Sequence, residues 1–264
     1  MYRFFQYLPE FKGKLRLAKY LFKNLSGRRE FRTRDGLSFI VPNLIENVSF
    51  ELFVNGFYER KYLKIISDNL PLNGVFVDVG ANIGAISVVL AKHRPDVKIY
   101  AFEASREVFW YLQENKRKNS LANLYLFNKA IHTADNLEMQ FYSPEDANGK
   151  GSFSPVFTDK FEKVITLSLD TFFRDNQIIP DLIKIDVEGY EALVIDSMNI
   201  FLNSNEKCKL IFEFVDWAES MANYSIGTAQ ENLLKKNYRL LNIDNDISVN
   251  KPILNGCAMI LAYK

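Results

Sequence analysis

Two acidic residues flank the first glycine-bearing turn of the chain. Asp78 lies two residues before Gly80, within VFVDVGANIGAISVVLAK (residues 75–92), and Glu103 lies 23 positions after Gly80. An acidic side chain about 20 residues beyond such a turn is placed to accept hydrogen bonds from ribose hydroxyls. A carboxylate at the turn itself repels a pyrophosphate and favours a positively charged group. The pair predicts a site for a cationic ligand that contains a ribose.

The turn has the glycines of a nucleotide cradle but lacks one that a phosphate needs. Gly80 and Gly84 permit positive φ or close backbone approach at the start of a helix, where N–H groups are unpaired. The dinucleotide fingerprint also requires glycine at position 82, where the chain has Asn82. We therefore expect S-adenosylmethionine, whose ammonium and sulfonium groups are cationic. The predicted cofactor-binding residues are Asp78, Gly80, Asn82, Gly84, Glu103, Asn128 and Ala130.

A second charged group follows in PDLIKIDVEGYEALVI (residues 180–195). Lys184, Asp186 and Glu188 end a run that is otherwise typical of a strand buried on both faces, and buried charges are costly unless paired or used. The structural alternative is an ion pair of Lys184 with acids that begin a helix.

Methyl transfer from a sulfonium is an in-line displacement that needs an aligned acceptor oxygen and a general base. Asp186 is the first candidate for this base. Glu188, Glu213 in LIFEF and His132 in a polar loop follow it, while Ser152 or Ser154 is a candidate to hydrogen-bond the acceptor. The sequence presents no metal-ligand constellation, so we expect no metal.

Short apolar runs alternate with helical patterns from Val75 onward, which is typical of βαβ units. We predict an α/β fold: a doubly wound, seven-stranded, mostly parallel sheet over residues 71–264, with an antiparallel final strand. The insertion at 136–168 follows the third core strand and is expected to face the substrate. Strands are predicted near 75–79, 98–102, 123–128, 181–186, 208–214, 239–243 and 257–263, and helices near 84–93, 105–118, 189–202 and 226–236.

Residues 1–70 are predicted to be a helical accessory segment, and they are locally basic. Residues 1–34 hold ten Lys or Arg and two Asp or Glu. One helical stripe contains Phe11, Leu15, Ala18, Phe22 and Leu25, with lysines on the other faces. This helix either packs on the main domain or rests on anionic membrane or a sister subunit. Gly27 and the charged run after it are interpreted as a connection, and residues 57–70 as another helix.

Composition indicates an ordinary globular protein. The 264 residues are 48% hydrophobic with a formal net charge of +1. Cys208 and Cys257 are far apart, which disfavours a disulfide framework or a structural zinc site. No run reaches the length of a membrane span or of a secretory signal. We expect a cytoplasmic protein, with peripheral contact at the inner membrane surface as an option.

The two charged segments together resemble the FkbM-type family of class I methyltransferases. AFEASREVFWYLQENKRKN (101–119) is similar to the second-strand block of that family, and ITLSLDTFF (165–173) resembles the run before its IDVEG motif. The resemblance covers roughly residues 57–214 in separated blocks. It implies an O-methyltransferase that acts on a hydroxyl of a sugar, glycolipid or natural product, and it leaves the acceptor open.

Three other functions fit the sequence less well. Tyr125 and Lys129 satisfy the Y-x-x-x-K pattern of nicotinamide-dependent oxidoreductases, but they lie in a strand region and the glycine pattern fails. A non-catalytic cofactor-binding domain would lack the base, whereas the acidic residues are present. Nucleic-acid methylation is disfavoured because interleaved aromatic and basic residues are missing and the net charge is near zero.

Overall fold

The structure is a computed structural model and describes residues 2–144, 151–155 and 158–264. Its helices are α1 (Tyr2–Tyr7), α2 (Lys14–Leu21), α3 (Asn47–Asn55), α4 (Arg60–Asn69), α5 (Ser87–His93), α6 (Arg106–Asn119), α7 (Leu169–Asn176), α8 (Glu191–Asp196), α9 (Asn199–Ser204), α10 (Asp216–Met221) and α11 (Thr228–Lys235). Its strands are β1 (Arg29–Arg32), β2 (Ser38–Val41), β3 (Val75–Val79), β4 (Lys98–Phe102), β5 (Leu124–Phe127), β6 (Ala130–Ile131), β7 (Glu138–Tyr142), β8 (Phe161–Leu167), β9 (Leu182–Ile185), β10 (Lys209–Val215), β11 (Arg239–Asn242), β12 (Ile247–Val249) and β13 (Cys257–Tyr263).

The main sheet has the order β12-β11-β13-β10-β9-β3-β4-β5. Strands β5, β4, β3, β9 and β10 pair in parallel, and β13 is antiparallel to both β10 and β11. This confirms the doubly wound, mostly parallel sheet with an antiparallel final strand. The predicted count of seven was wrong, because the described sheet has eight strands. The extra strand β12 is a mostly exposed edge strand, so it lacks the apolar alternation that marks the others.

Alternate residues of β3 point into two apolar clusters on opposite faces of the sheet. Phe76 belongs to one cluster, whereas Val77 and Val79 belong to the other. A strand projects successive side chains to opposite faces, and a parallel sheet is covered by helices on both. The chain leaves β3 towards β4 on one side, while β9 and β10 lie on the other. A crevice is expected where the order reverses, at the carboxyl ends of β3 and β9.

The segment before β3 contains a hairpin that the sequence analysis missed. Interpreting the charged run after Gly27 as a connection was wrong, because β1 pairs antiparallel with β2. Phe31 and Phe39 are buried opposite each other with ring centroids 6.1 Å apart. A strand of four residues with one inward apolar side chain gives too weak a periodic signal to detect. The helical stripe that begins at Phe11 is also shorter than predicted, because α2 starts after Gly13, whose φ is +96°.

One side chain ties this hairpin to the helix that follows β4. Asn115 is fully buried on α6. Its side-chain oxygen accepts a hydrogen bond from the Ile40 N–H, and its side-chain amide donates to the carbonyl oxygens of Ile40 and Ile83. Buried residues on both sides of position 70 form one apolar cluster. The domain boundary at residue 70 therefore stays a prediction.

Two other predicted regions differ from the structure. The helix expected near 189–202 is divided into α8 and α9, because Asp170 accepts hydrogen bonds from the backbone N–H groups of Ile200 and Phe201 and caps α9. The insertion at 136–168 contains β7 and β8, which pair antiparallel, with β6 alongside β8. Residues 145–150 and 156–157 of this insertion lie outside the described residues. Across the described ranges, no helix has the length and apolar character needed to cross a membrane.

Candidate active site

Two clefts open at the carboxyl ends of β3, β4 and β9. The first cleft holds about 700 Å³ of open space and the second about 560 Å³, each partly continuous with solvent. Gly80, Asn82, Asp186 and Glu188 line both clefts, so the two spaces meet at these residues. The structure thus brings together the two charged segments that the sequence analysis singled out.

Gly80 allows the two segments to approach closely. Its φ is +80°, and a Cβ at this position would lie 1.9 Å from the backbone oxygen of Asp186. No side chain fits there, because atoms in real structures do not approach so closely. The backbone N–H groups of Gly80 and Ala81 both donate to the carbonyl oxygen of Phe102. Glycine is therefore required at position 80 by close packing as well as by backbone conformation.

Glu103 extends from the end of β4 into the first cleft. Its side chain is 8% exposed, and its two carboxylate oxygens accept hydrogen bonds from the N–H groups of Asn82 and Ser105, each at 2.9 Å. Burial raises the pKa of Glu103 to about 7, although these hydrogen bonds act in the opposite direction. Each oxygen keeps a second lone pair for a ligand hydroxyl.

The predicted residues after β5 divide between two roles. Ala130 lines the first cleft, as does its neighbour Lys129. Asn128 instead donates its side-chain amide to the carbonyl oxygens of Glu103 and Ala104, both at 2.9 Å. Asn128 thus fixes the backbone at the end of β4, and a contact with an adenine edge stays a prediction.

Aromatic residues from the insertion cover the first cleft. Phe153 packs edge-to-face on Phe141 and on Tyr190, with ring centroids 5.7 and 5.2 Å apart. The Ser154 hydroxyl lies 2.7 Å from the Tyr190 hydroxyl, so it is engaged within the protein. Ser152 is buried and lines the cleft. The described part of the insertion therefore adjoins the site, but at the side where Glu103 lies.

Lys184 occupies the floor of the second cleft between two carboxylates. Its Nζ atom lies 3.0 Å from Asp186 Oδ2 and 3.7 Å from Asp78 Oδ1, and the residue is 4% exposed. Burial by itself lowers the pKa of Lys184, but the two carboxylates outweigh it and raise the pKa above its ordinary value. Lys184 is therefore positively charged and forms the ion pair that the sequence suggested, while the Asp186 side chain stays partly exposed.

Asp78 is more deeply buried than a residue that simply faces a ligand. Its Oδ2 atom accepts a hydrogen bond from Ser87 at the start of α5. Its Oδ1 atom is buried, forms the ion pair with Lys184 and has no hydrogen-bond partner among the described residues. Burial raises the pKa of Asp78, while Lys184 and Ser87 lower it. A buried carboxylate oxygen without a hydrogen-bond donor is costly, and Asp78 is part of the lining of the second cleft.

Two further carboxylates, Glu59 and Glu213, line the second cleft. Burial and the charge of Asp186 raise the pKa of Glu59 to about 7 and that of Glu213 to about 8. Glu59 has a φ of +47° and Glu188 a φ of +52°, both in the left-handed region that side chains rarely adopt. Such strain clusters at functional sites because the surrounding structure must maintain it.

The sequence analysis missed Glu59 and Glu191. Glu59 precedes α4, and nothing in its spacing relates it to Asp78 or Asp186. Glu191 is 2% exposed, and its carboxylate accepts hydrogen bonds from the N–H groups of Val187 and Gly189. Its position in EGYEAL is a visible signal for a side chain that caps the turn after β9, since an acid at a helix start commonly binds free N–H groups.

Gly84 and His132, like Asn128 and Ser154, are not among the residues that line the two clefts. His132 Nδ1 accepts a hydrogen bond from the Ala134 N–H at 3.1 Å. Gly84 packs against α6, where a Cβ would lie 2.7 Å from Leu112 Cδ1. The structure therefore does not bring His132 to Asp186. Within the described ranges, no group of His, Cys, Asp and Glu residues has an arrangement that would hold a metal ion.

The sheet order and the glycine turn after β3 define the doubly wound fold of class I methyltransferases. The profile of the Methyltransferase FkbM domain matches residues 78–240, more than half of the chain. The chain belongs to this family of S-adenosylmethionine-dependent methyltransferases, which confirms the resemblance stated from the sequence motifs.

Individual relatives are more distant. The hexuronic acid methyltransferase AglP of Haloferax volcanii is 25% identical over 147 residues, which cover 55% of this chain and 59% of the relative. The release factor glutamine methyltransferase of Streptococcus pneumoniae is 37% identical over 57 residues, 22% of this chain and 20% of the relative. The matches thus span less than two thirds of either relative. A solved precorrin-6y C5,15-methyltransferase from Geobacter metallireducens has a TM-score of 0.44 at 15% identity, covering 79% of this chain and 92% of that chain.

Proposed function

We propose that the protein transfers a methyl group from S-adenosylmethionine to a hydroxyl of a sugar, glycolipid or natural product. The observation that carries the proposal is the meeting of the two clefts at Gly80, Asn82, Asp186 and Glu188. One cleft offers a buried acid suited to a ribose, and the other offers several carboxylates suited to hydroxyl groups. The likeness to a hexuronic acid methyltransferase supports an acceptor of the sugar class.

The first cleft fits the cofactor. Glu103 would accept hydrogen bonds from the ribose hydroxyls, since each of its oxygens has a free lone pair. The wall near Phe102, Ala130 and Ile131 is apolar and suits an adenine ring. Asp78 lines the second cleft next to Gly80, so the ammonium group of the methionine portion would extend across the junction of the two clefts towards its carboxylate. When bound, S-adenosylmethionine supplies an electrophilic methyl group at a sulfonium centre.

Asp186 is the proposed general base because it lines both clefts. A group at the junction of the two clefts can contact an acceptor oxygen that extends from the second cleft towards the first. A general base must lie within hydrogen-bond distance of the proton that it removes. Lys184, 3.0 Å from Asp186, orients the carboxylate, and the proton removed from the acceptor passes to Asp186. Glu59 and Glu213 line only the second cleft, and we assign them to binding other acceptor hydroxyls.

The charge of the second cleft favours a hydroxyl acceptor over a carboxylate. Its lining contains the positively charged Lys184 and the acidic residues Glu59, Asp186, Glu188 and Glu213. An acceptor that brought a carboxylate to the methyl donor would be repelled by the charge of Asp186, which also raises the pKa of Glu59 and Glu213. A neutral hydroxyl would gain hydrogen bonds from them and would need the base that Asp186 provides.

Three variants test the proposal by calorimetry with S-adenosylmethionine and by a methyl-transfer assay on neutral glycosides. Asp78→Ala and Glu103→Ala are expected to weaken cofactor binding, since each removes an acceptor with a charge, worth about 1.5–3 kcal/mol. Asp186→Asn is expected to keep cofactor binding and to lose turnover. The control is Glu231→Gln, which changes an exposed acid on α11.

Equal cofactor affinity in all three variants would show that the cofactor site is misassigned. Cofactor binding by the wild type without methyl transfer to any acceptor would favour the non-catalytic alternative. Mass spectrometry of the purified protein for retained S-adenosylmethionine or its demethylated product gives an independent check, and retention of a nicotinamide cofactor would refute the proposal.

A further inference from the structure

Helix α2 has three chemically different faces. Successive residues of a helix are rotated by about 100°. One face packs on the core through Ala18, which is fully buried, and the partly buried Leu15. A neighbouring face carries Leu17, Tyr20 and Leu21, which are 45%, 80% and 46% exposed. None of these three side chains belongs to the apolar cluster in which Ala18 lies.

More exposed apolar side chains lie just before α2. Phe4 and Tyr7 on α1 are 65% and 66% exposed, and Phe11, which lies before the start of α2, is 47% exposed. Isolated exposed apolar residues are ordinary, but a cluster in one short segment marks an interaction surface. The segment from Phe4 to Leu21 is called the N-terminal surface below.

Basic side chains accompany these apolar residues. The third face of α2 carries Arg16 and Lys19, and Lys12 and Lys23 continue it beyond the helix ends. All four are exposed. Residues 1–34 have a balance of +8, from ten Lys or Arg and two Asp or Glu. Exposed aromatic and aliphatic residues beside a basic stripe suit the boundary between lipid headgroups and acyl chains.

We propose that the N-terminal surface binds an anionic membrane, with α2 parallel to the bilayer plane. The leucines and aromatic rings enter the headgroup boundary, while the basic stripe contacts lipid phosphates. A second copy of this chain is a poorer partner. A twofold interface apposes the same patch on each subunit, which would bring the basic stripes together. A single-stranded nucleic acid would stack on aromatic rings but would gain little from Leu17 and Leu21.

The charge contribution is tested by co-sedimentation with vesicles of phosphatidylcholine and phosphatidylglycerol, and with vesicles of phosphatidylcholine alone. Wild type is expected to bind the anionic vesicles preferentially and to be released by salt. Each basic residue near the membrane contributes about fivefold in affinity, so Arg16→Gln with Lys23→Gln should weaken binding about thirtyfold. Lys251→Gln is the control, since Lys251 is an exposed lysine far along the chain.

The apolar contribution is tested with Leu17→Ser combined with Tyr20→Ser. Both side chains are exposed, so the variant should keep its thermal stability and cofactor affinity while losing vesicle binding. Ile200→Ser, at a 71% exposed residue on α9, is the control and should bind as wild type does. Absence of wild-type binding, or equal binding to neutral vesicles, would overturn the proposal. The proposal would also be overturned if the Leu17→Ser, Tyr20→Ser variant kept vesicle binding but lost self-association of the wild type. The same holds if it kept vesicle binding but lost binding of a single-stranded RNA oligonucleotide.

Discussion

Replacing Glu213 with glutamine should stabilise the protein, and increasingly so as the pH rises. The Glu213 carboxyl is partly buried beside Asp186 and Glu188, and its pKa is raised from 4.5 to about 8. Below pH 4.5 the group is protonated in both the folded and unfolded protein, so its burial costs nothing electrostatically. Between pH 4.5 and 8 the unfolded chain ionises while the folded protein retains the proton, and stability is lost.

The magnitude follows from the difference in proton affinity. Each tenfold difference corresponds to about 1.4 kcal/mol, which gives an upper bound of about 5 kcal/mol above pH 8. Solvent that reaches a partly exposed group reduces this value, and the neighbouring acids relax. We therefore expect Glu213→Gln to gain about 1–2 kcal/mol at pH 8, because the amide has a similar shape and no charge. For a chain of this size that gain raises the unfolding temperature by about 2–6 °C.

Thermal unfolding of both proteins from pH 4.5 to 8.5, without cofactor, tests this reasoning. The difference in unfolding temperature should be near zero at pH 4.5 and grow to its full value at pH 8. Glu231→Gln is the matched control, because Glu231 lies on the surface of α11 and should show no comparable trend.

An unfolding temperature for Glu213→Gln equal to or below that of wild type at pH 8 would refute the reasoning. A gain that is the same at every pH would refute it as well, because it would arise from packing and not from ionisation. Either result would mean that burial and the neighbouring acids do not disfavour the charged form of Glu213 in the folded protein.

Two further predictions concern the framework of the site. Gly80→Ala should abolish cofactor binding, measured by calorimetry, since its Cβ would lie 1.9 Å from the Asp186 backbone oxygen. The control Gly13→Ala has open space around its Cβ and should lower stability by only about 1 kcal/mol for its positive φ. Normal cofactor binding by Gly80→Ala would contradict the close approach. Asn115→Ala should lower the free energy of unfolding in urea by about 2–4 kcal/mol, because it leaves buried backbone groups of β2 and of the glycine turn without partners. A loss below about 1 kcal/mol would mean that these groups find other partners.

Strands of the main sheet could be predicted because their periodic patterns are strong. Strands β3 and β4 occur at the predicted residues, since each is a mostly apolar run between turn residues. The hairpin of β1 and β2 was missed, because β1 has one buried apolar residue and β2 has only four residues, which gives no clear periodicity. Helix α9 was not separated from α8, because the separation depends on Asp170, a residue distant in sequence.

The candidate site divides in the same way. Asp78, Glu103 and Asp186 could be selected from the sequence because each lies at or just after the carboxyl end of an apolar strand, and parallel strands bring these ends to one edge. Glu59 could not, because its place in the second cleft depends on how residues before β3 pack against the sheet. His132 is a polar residue after a strand, as the others are, but the structure turns it away from both clefts.

The sequence by itself determined the order of strands and helices, the glycine turn and the family, because these depend on local patterns of apolar, acidic and glycine residues. Only the tertiary structure decided that Lys184 pairs with both Asp78 and Asp186, that Glu59 joins them, and that an apolar stripe of α2 faces solvent. Burial, charge pairing and packing depend on contacts between distant parts of the chain, and those contacts exist only once the chain has folded.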